Sequence, residues 1–167
     1  MPESSAPRLL VIDDDPKLAG VVAAVARDAF PDPLSLVIET AHSAEAADVA
    51  LRRLEAAGAS RLVVISDFHL PPSHLHGVHL LMEARRRLPS AKRVLMTGRD
   101  PSELAGILEG ADLDAFVEKP FTFDEMRRLI VRLVAETAVP GAGTAVPVRG
   151  PGPSRGGLEA ASAGERA

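Results

Sequence analysis

A chain of 167 residues holds enough material for one domain with a proper core and hardly enough for two. It has no cysteine, which excludes disulfides and thiol chemistry, leaves the fold to packing, and fits a reducing cytoplasm. A formal net charge of −4, no Tyr or Trp and five Phe argue against nucleic acid as a bulk partner and leave no aromatic platform for stacking bases.

Residues 1–7 carry neither a basic region nor an apolar run longer than a strand, so they are expected to be disordered, with no signal peptide or transmembrane helix. Residues 8–12, Arg8-Leu9-Leu10-Val11-Ile12, predict a first strand that ends in Asp13-Asp14-Asp15-Pro16. Asp15 suits an N-cap and Pro16 the first position of a helix, whose apolar residues Leu18, Val21, Val22, Val25 and Phe30 run towards Pro31. Leu34 to Glu39 predicts a second strand. Ser43 then caps an Ala-rich helix with Ala46, Ala47, Ala50, Leu51 and Leu54 on one face, closed by Gly58.

Leu62-Val63-Val64-Ile65 reads as a strand buried on both faces, the kind found in the middle of a parallel sheet. Asp67 stands where it runs out, ahead of Pro71-Pro72. A third helix starts close to Gly77, with Val78, Leu81, Met82 and Leu88 as its core positions. Val94-Leu95-Met96 is a fourth strand ending in Thr97-Gly98. Asp100-Pro101 opens a helix through Leu104, Ile107 and Leu108 towards Gly110, and Leu113 to Val117 is a fifth strand ending in Glu118-Lys119-Pro120-Phe121. Thr122 and Glu125 have capping-box spacing ahead of a last helix with Met126, Leu129, Ile130 and Leu133 as its stripe. From about Thr137 the periodicity stops, and residues 137–167, rich in Ala, Gly and Pro, are expected to be a disordered tail.

Strands alternating with helices over short loops call for a parallel sheet with helices on both faces. In such a sheet Asp13, Asp14, Asp67, Thr97 and Lys119 all fall at the carboxyl edge, where ligands and chemistry collect. Taken alone, an aspartate after a strand is more often a turn former or a cap than a functional group. The three acids together repel one another, and a hard divalent cation such as Mg²⁺ resolves that repulsion with oxygen ligands. A carboxylate beside such a cation, a lysine and a hydroxyl has the parts of a phosphoryl-acceptor site.

With these residues in place, the chain from 8 to 136 resembles the receiver domain of two-component response regulators, the CheY-like family. The resemblance rests on the acidic pair Asp13-Asp14, on Asp67, on Thr97 followed by Gly98, and on Lys119-Pro120-Phe121. It implies a doubly wound five-stranded parallel α/β sheet of order 2-1-3-4-5, flavodoxin-like, with five helices. It implies Asp67 as phosphoacceptor and Mg²⁺ held by Asp14, Asp67 and the main-chain carbonyl of His69, with Asp13 acting through metal-bound water. Thr97, Lys119 and Phe116 would bind or respond to the phosphoryl group, and Pro120 would follow a cis peptide bond. The implied partners are a histidine kinase or phosphotransfer protein and a downstream protein, with phosphorylation-dependent homodimerisation as a further expectation. The resemblance casts the protein as a cytoplasmic, stand-alone signalling domain rather than an enzyme, with no direct nucleic-acid or membrane contact.

Two departures stand out. Phe116 occupies a position where the family commonly has Tyr, and the loop from Asp67 to Gly77 is about two residues longer than usual. A degenerate receiver that works without phosphate is the alternative reading. A haloacid-dehalogenase-like phosphatase would use Asp13 and Asp15, but it would leave Asp67 without a role and lacks a later acidic pair on a strand end. His69, His74, His76 and His79 read as solvated loop histidines rather than a metal site. Arg85-Arg86-Arg87 reads as a solvated face, Met82 and Met126 as core, and Arg127, Arg128 and Arg132 as surface near a candidate output face.

Overall fold

The structure, a computed structural model, describes residues 6–32, 34–71 and 77–138. Five parallel strands, β1 (Arg8–Ile12), β2 (Val37–Ala41), β3 (Leu62–Asp67), β4 (Lys92–Thr97) and β5 (Ala115–Glu118), lie in the order β2-β1-β3-β4-β5. They alternate with α1 (Pro16–Ala29), α2 (Ala44–Ala56), α3 (Gly77–Arg87), α4 (Ala105–Leu108) and α5 (Phe123–Glu136). This is the expected doubly wound α/β fold. Most of the tail, residues 139–167, and His74 and His76 lie outside the described residues.

The pleat sorts the apolar residues into two layers. Leu10, Ile12, Val64 and Leu95 face α2 and α3, whereas Leu9, Val11, Val63, Ile65, Val94 and Met96 face α1 and α5. Strands β3 and β4 are buried at every residue, which is why their sequences carry no polar alternation. Four helix starts are set by short-range chemistry. Asp15, Ser43 and Asp100 accept the N–H groups of Lys17, Ala46 and Ser102, and Thr122 with Glu125 completes a capping box. No helix among the described residues is long and apolar enough to cross a membrane.

The second strand begins three residues later than predicted. The Asp32 carboxylate accepts the Leu34 N–H at 3.0 Å and its carbonyl accepts that of Ser35 at 2.9 Å, so these residues turn, and Leu34 is exposed. Thr40 and Ala41 extend the strand instead, opposite Val11 and Ile12. The fourth helix is a 3-10 turn, Pro101–Leu104, followed by a single α turn. Leu104 is buried but Ile107 is not, so little burial drives a longer helix, and Gly106 disfavours one. Met82 is a correction as well: it is 43% exposed, because α3 buries Gly77, Val78, Leu80, Leu81 and Ala84. The arginine run is not uniformly solvated. Arg85 and Arg86 are exposed, but Arg87 packs down and pairs with Glu55, Glu83 and Asp48.

Candidate functional site

The parallel register delivers one polar residue after another to the carboxyl edge. Ile12 lies opposite Ser66, Asp67 opposite Met96, and Thr97 opposite Glu118. Asp13 and Asp14 follow β1, Asp67 and Thr97 close β3 and β4, and Lys119 follows β5. Carboxylate oxygens of Asp13, Asp14 and Asp67 all lie within 4.8 Å of one another.

Lys119 is the internal counter-charge. Its Nζ donates to Asp67 Oδ1 at 2.8 Å and to Asp13 Oδ2 at 3.2 Å. Its backbone N–H donates to the Thr97 carbonyl at 2.7 Å, which fixes the lysine to the end of β4. Burial works against the ammonium charge, but the hydrogen bonds and attraction from Asp67 and Asp13 outweigh it and hold the Lys119 pKa above its ordinary value. Asp13 is raised above its ordinary value, chiefly by burial and further by the neighbouring Asp67 charge; the Asp15 N–H and Lys119 oppose the rise.

The remaining predicted residues divide. Thr97 is buried, and its Oγ1 accepts the Arg99 N–H at 3.0 Å; among the described residues its own proton meets no acceptor. Asp14 and His69 are exposed at the mouth of the acidic cluster and on the loop after β3. Phe116 is half-buried against the layer on the α2 and α3 side, and the Lys119–Pro120 peptide is cis. Asp15 is exposed and engaged as the cap of α1, outside the cluster, so a reading built on Asp13 and Asp15 loses its second acid.

Three further residues touch the site without having been singled out by spacing. A Cβ on Gly77 would lie 1.8 Å from the Asp67 carbonyl oxygen, so α3 can start there only with glycine. The His42 ring nitrogen Nδ1 is 3.1 Å from the Asp13 carbonyl, and Arg99 sits 5.9 Å above the Phe68 ring. Each is a contact across the chain, which local pattern does not report. Chemically, the cluster offers hard oxygen donors with no nitrogen or sulfur among them, a set that fits a hard divalent cation.

No protein-family model matches the chain. Over 120 residues, 71% of the chain, it is 31% identical to the nitrogen assimilation regulatory protein NtrX of Azorhizobium caulinodans, and it spans about a quarter (24%) of that curated relative. Among solved structures it is similar to a CheY-like receiver domain protein from Methanospirillum hungatei, with a TM-score of 0.64 at 22% identity, over 80% of this chain and 98% of that one. A receiver domain protein from Clostridium thermocellum gives 0.63 at 21%, over 79% and 97%. The signal receiver domain of an HD domain-containing protein from Pseudomonas fluorescens gives 0.60 at 24%, over 81% and 91%. The chain has the fold of a response regulator receiver domain.

Proposed function

We propose that this chain is the receiver domain of a response regulator and takes a phosphoryl group onto Asp67 from a histidine kinase or phosphotransfer protein. The observation that carries the reading is the convergence on one sheet edge of three carboxylates within 4.8 Å and an ammonium 2.8 Å from Asp67. A structural salt bridge needs one acid and one base; crowding two more acids around it costs stability and serves chemistry better than packing.

In the proposed reaction an Asp67 oxygen attacks phosphorus, the phosphorus–nitrogen bond of the donor histidine breaks, and an acyl phosphate results. Lys119, already on Asp67, moves its hydrogen bond to the transferred group, and the Thr97 hydroxyl donates its unspent proton to a phosphoryl oxygen. Asp13, Asp14 and Asp67, with the His69 carbonyl, are the groups that would hold Mg²⁺, which when bound offsets the negative charge of the transferring group. Phe116 would then shift with Thr97, and the altered surface would be read by a protein partner. This is signalling chemistry rather than turnover of a substrate.

Intact-mass measurement after incubation with acetyl phosphate and Mg²⁺ tests the reading. One phosphate adduct is expected on the wild type and none on Asp67→Asn. If the wild type stays unmodified and also fails to bind beryllofluoride, the proposal is wrong.

A further inference from the structure

Asp67 and its neighbours occupy one edge of the sheet. At the opposite edge, where β4 begins, a cavity of about 510 Å³ opens between the C-terminal half of α3 and the turn leading into β5. Arg85 and Arg86 of α3, Arg93 of β4 and Asp112 line it. Met82 and Pro89 supply its apolar wall.

Arg93 is 7% exposed, and its Nε and Nη1 are shut from solvent with no hydrogen-bond partner. The Asp114 carboxylate lies 3.6 Å from Nε, but that oxygen already accepts the Arg93 backbone N–H at 2.8 Å, and its other oxygen is engaged by Lys92 at 3.3 Å. A buried guanidinium with unanswered donors is costly, and an apolar side chain would fill the space more cheaply. Asp114 therefore answers its charge only in part. Arg85 does have a partner, Asp112, which stands at φ 48°, two residues after Gly110 at φ 78°. A non-glycine residue pays for this left-handed conformation, and here it presents its carboxylate to the cavity arginine. Met82, exposed at 43% on the same wall, is an apolar surface with no use in the core.

We propose that this cavity binds a small organic phosphate, with Arg85, Arg86 and Arg93 around the phosphate and Met82 and Pro89 against the organic part. Guanidinium forks match phosphate oxygens, and Arg86, like Arg85, has only an exposed ion pair to exchange for them, with Glu83 of the same helix at 3.0 Å. The volume lies within the range of about 300–1,000 Å³ usual for small-molecule sites. Asp112 holds the place an incoming anion would take on Arg85. The site shares no residue with the acidic cluster, so it stands or falls independently of phosphoryl transfer.

The test is amide NMR titration with pyrophosphate and with ATP, without divalent cation and on an Asp67→Asn background so that the acidic site does not contribute. Saturable perturbations are expected in residues 82–93 and 110–114. Binding should weaken about tenfold in Arg85→Gln/Arg86→Gln, whose side chains are exposed, as expected for lost charge-assisted hydrogen bonds. It should tighten in Asp112→Asn, an effect that a purely structural role for the arginines does not produce. ATP should bind more tightly than pyrophosphate. No saturation by about 10 mM, a response elsewhere in the sheet, or undiminished binding in the double variant would overturn the site; equal affinity for the two probes would overturn the organic part.

Discussion

Asp13 is held at 1% exposure beside Asp67, and burial raises its pKa although Lys119 lies 3.2 Å away. At neutral pH, without a cation, its charge therefore opposes folding. Asp13→Asn keeps an oxygen for the Asp15 N–H and removes that charge, so its melting temperature without divalent cation should rise by about a few degrees. Scanning the wild type with and without MgCl₂ should show stabilisation by the ion, which Asp13→Asn should largely lose. If the variant melts lower in both conditions, the carboxylate is a structural anchor rather than a strained ligand. Gly77 is the converse case, a residue whose lack of a side chain matters. Gly77→Ala forces a methyl into the Asp67 carbonyl and should cost about 1–3 kcal/mol in a urea titration, while also reducing acetyl phosphate labelling through displaced Asp67.

Among the elements, α5 has the most complete start. Its Thr122 hydroxyl accepts the Glu125 N–H, and the Glu125 carboxylate accepts the Thr122 N–H at 2.7 Å. Thr122→Ala should cost about 1 kcal/mol of stability, read as a lower denaturation midpoint with unchanged slope. The backbone and hydroxyl hydrogen bonds from Thr122 lower the Glu125 pKa, so its contribution is present above the ordinary carboxylate value and fades as pH falls through the depressed one. Glu125→Gln should therefore destabilise at neutral pH and much less in acid, by thermal scans at the two pH values. These caps were legible in the sequence because their chemistry spans three residues. The strand ends were equally legible at Asp13, Asp67, Thr97 and Lys119, since parallel strands share one direction. The start of β2 was not, because the Asp32 turn competes with strand pairing and only the partner strand decides where pairing begins. The shortened α4 turns on how little the core asks of Ile107, and Met82 on which face of α3 the sheet meets; both depend on tertiary placement that periodicity cannot supply.

As a whole, the molecule is a sheet between two apolar layers with opposite charge at its ends: acids where β1 and β3 finish, arginines where β4 starts. A net charge of −4 shows neither cluster, since the arginines have Asp112, Glu83 and Asp114 beside them. The order of the strands has a further consequence. Asp67 belongs to the central strand, paired on both sides and buried throughout, whereas Lys119 hangs from a four-residue strand at the rim, paired on one side only. Amide exchange should accordingly be slowest at Val63 to Ser66 and much faster at Phe116 to Glu118, because opening a rim strand breaks fewer contacts than opening the middle. Each fraying of that rim would withdraw the ammonium and leave the acids briefly without it. The breathing of β5 would then bare Asp13 and Asp67 together, while Asp14, which Lys119 does not touch, stays exposed throughout.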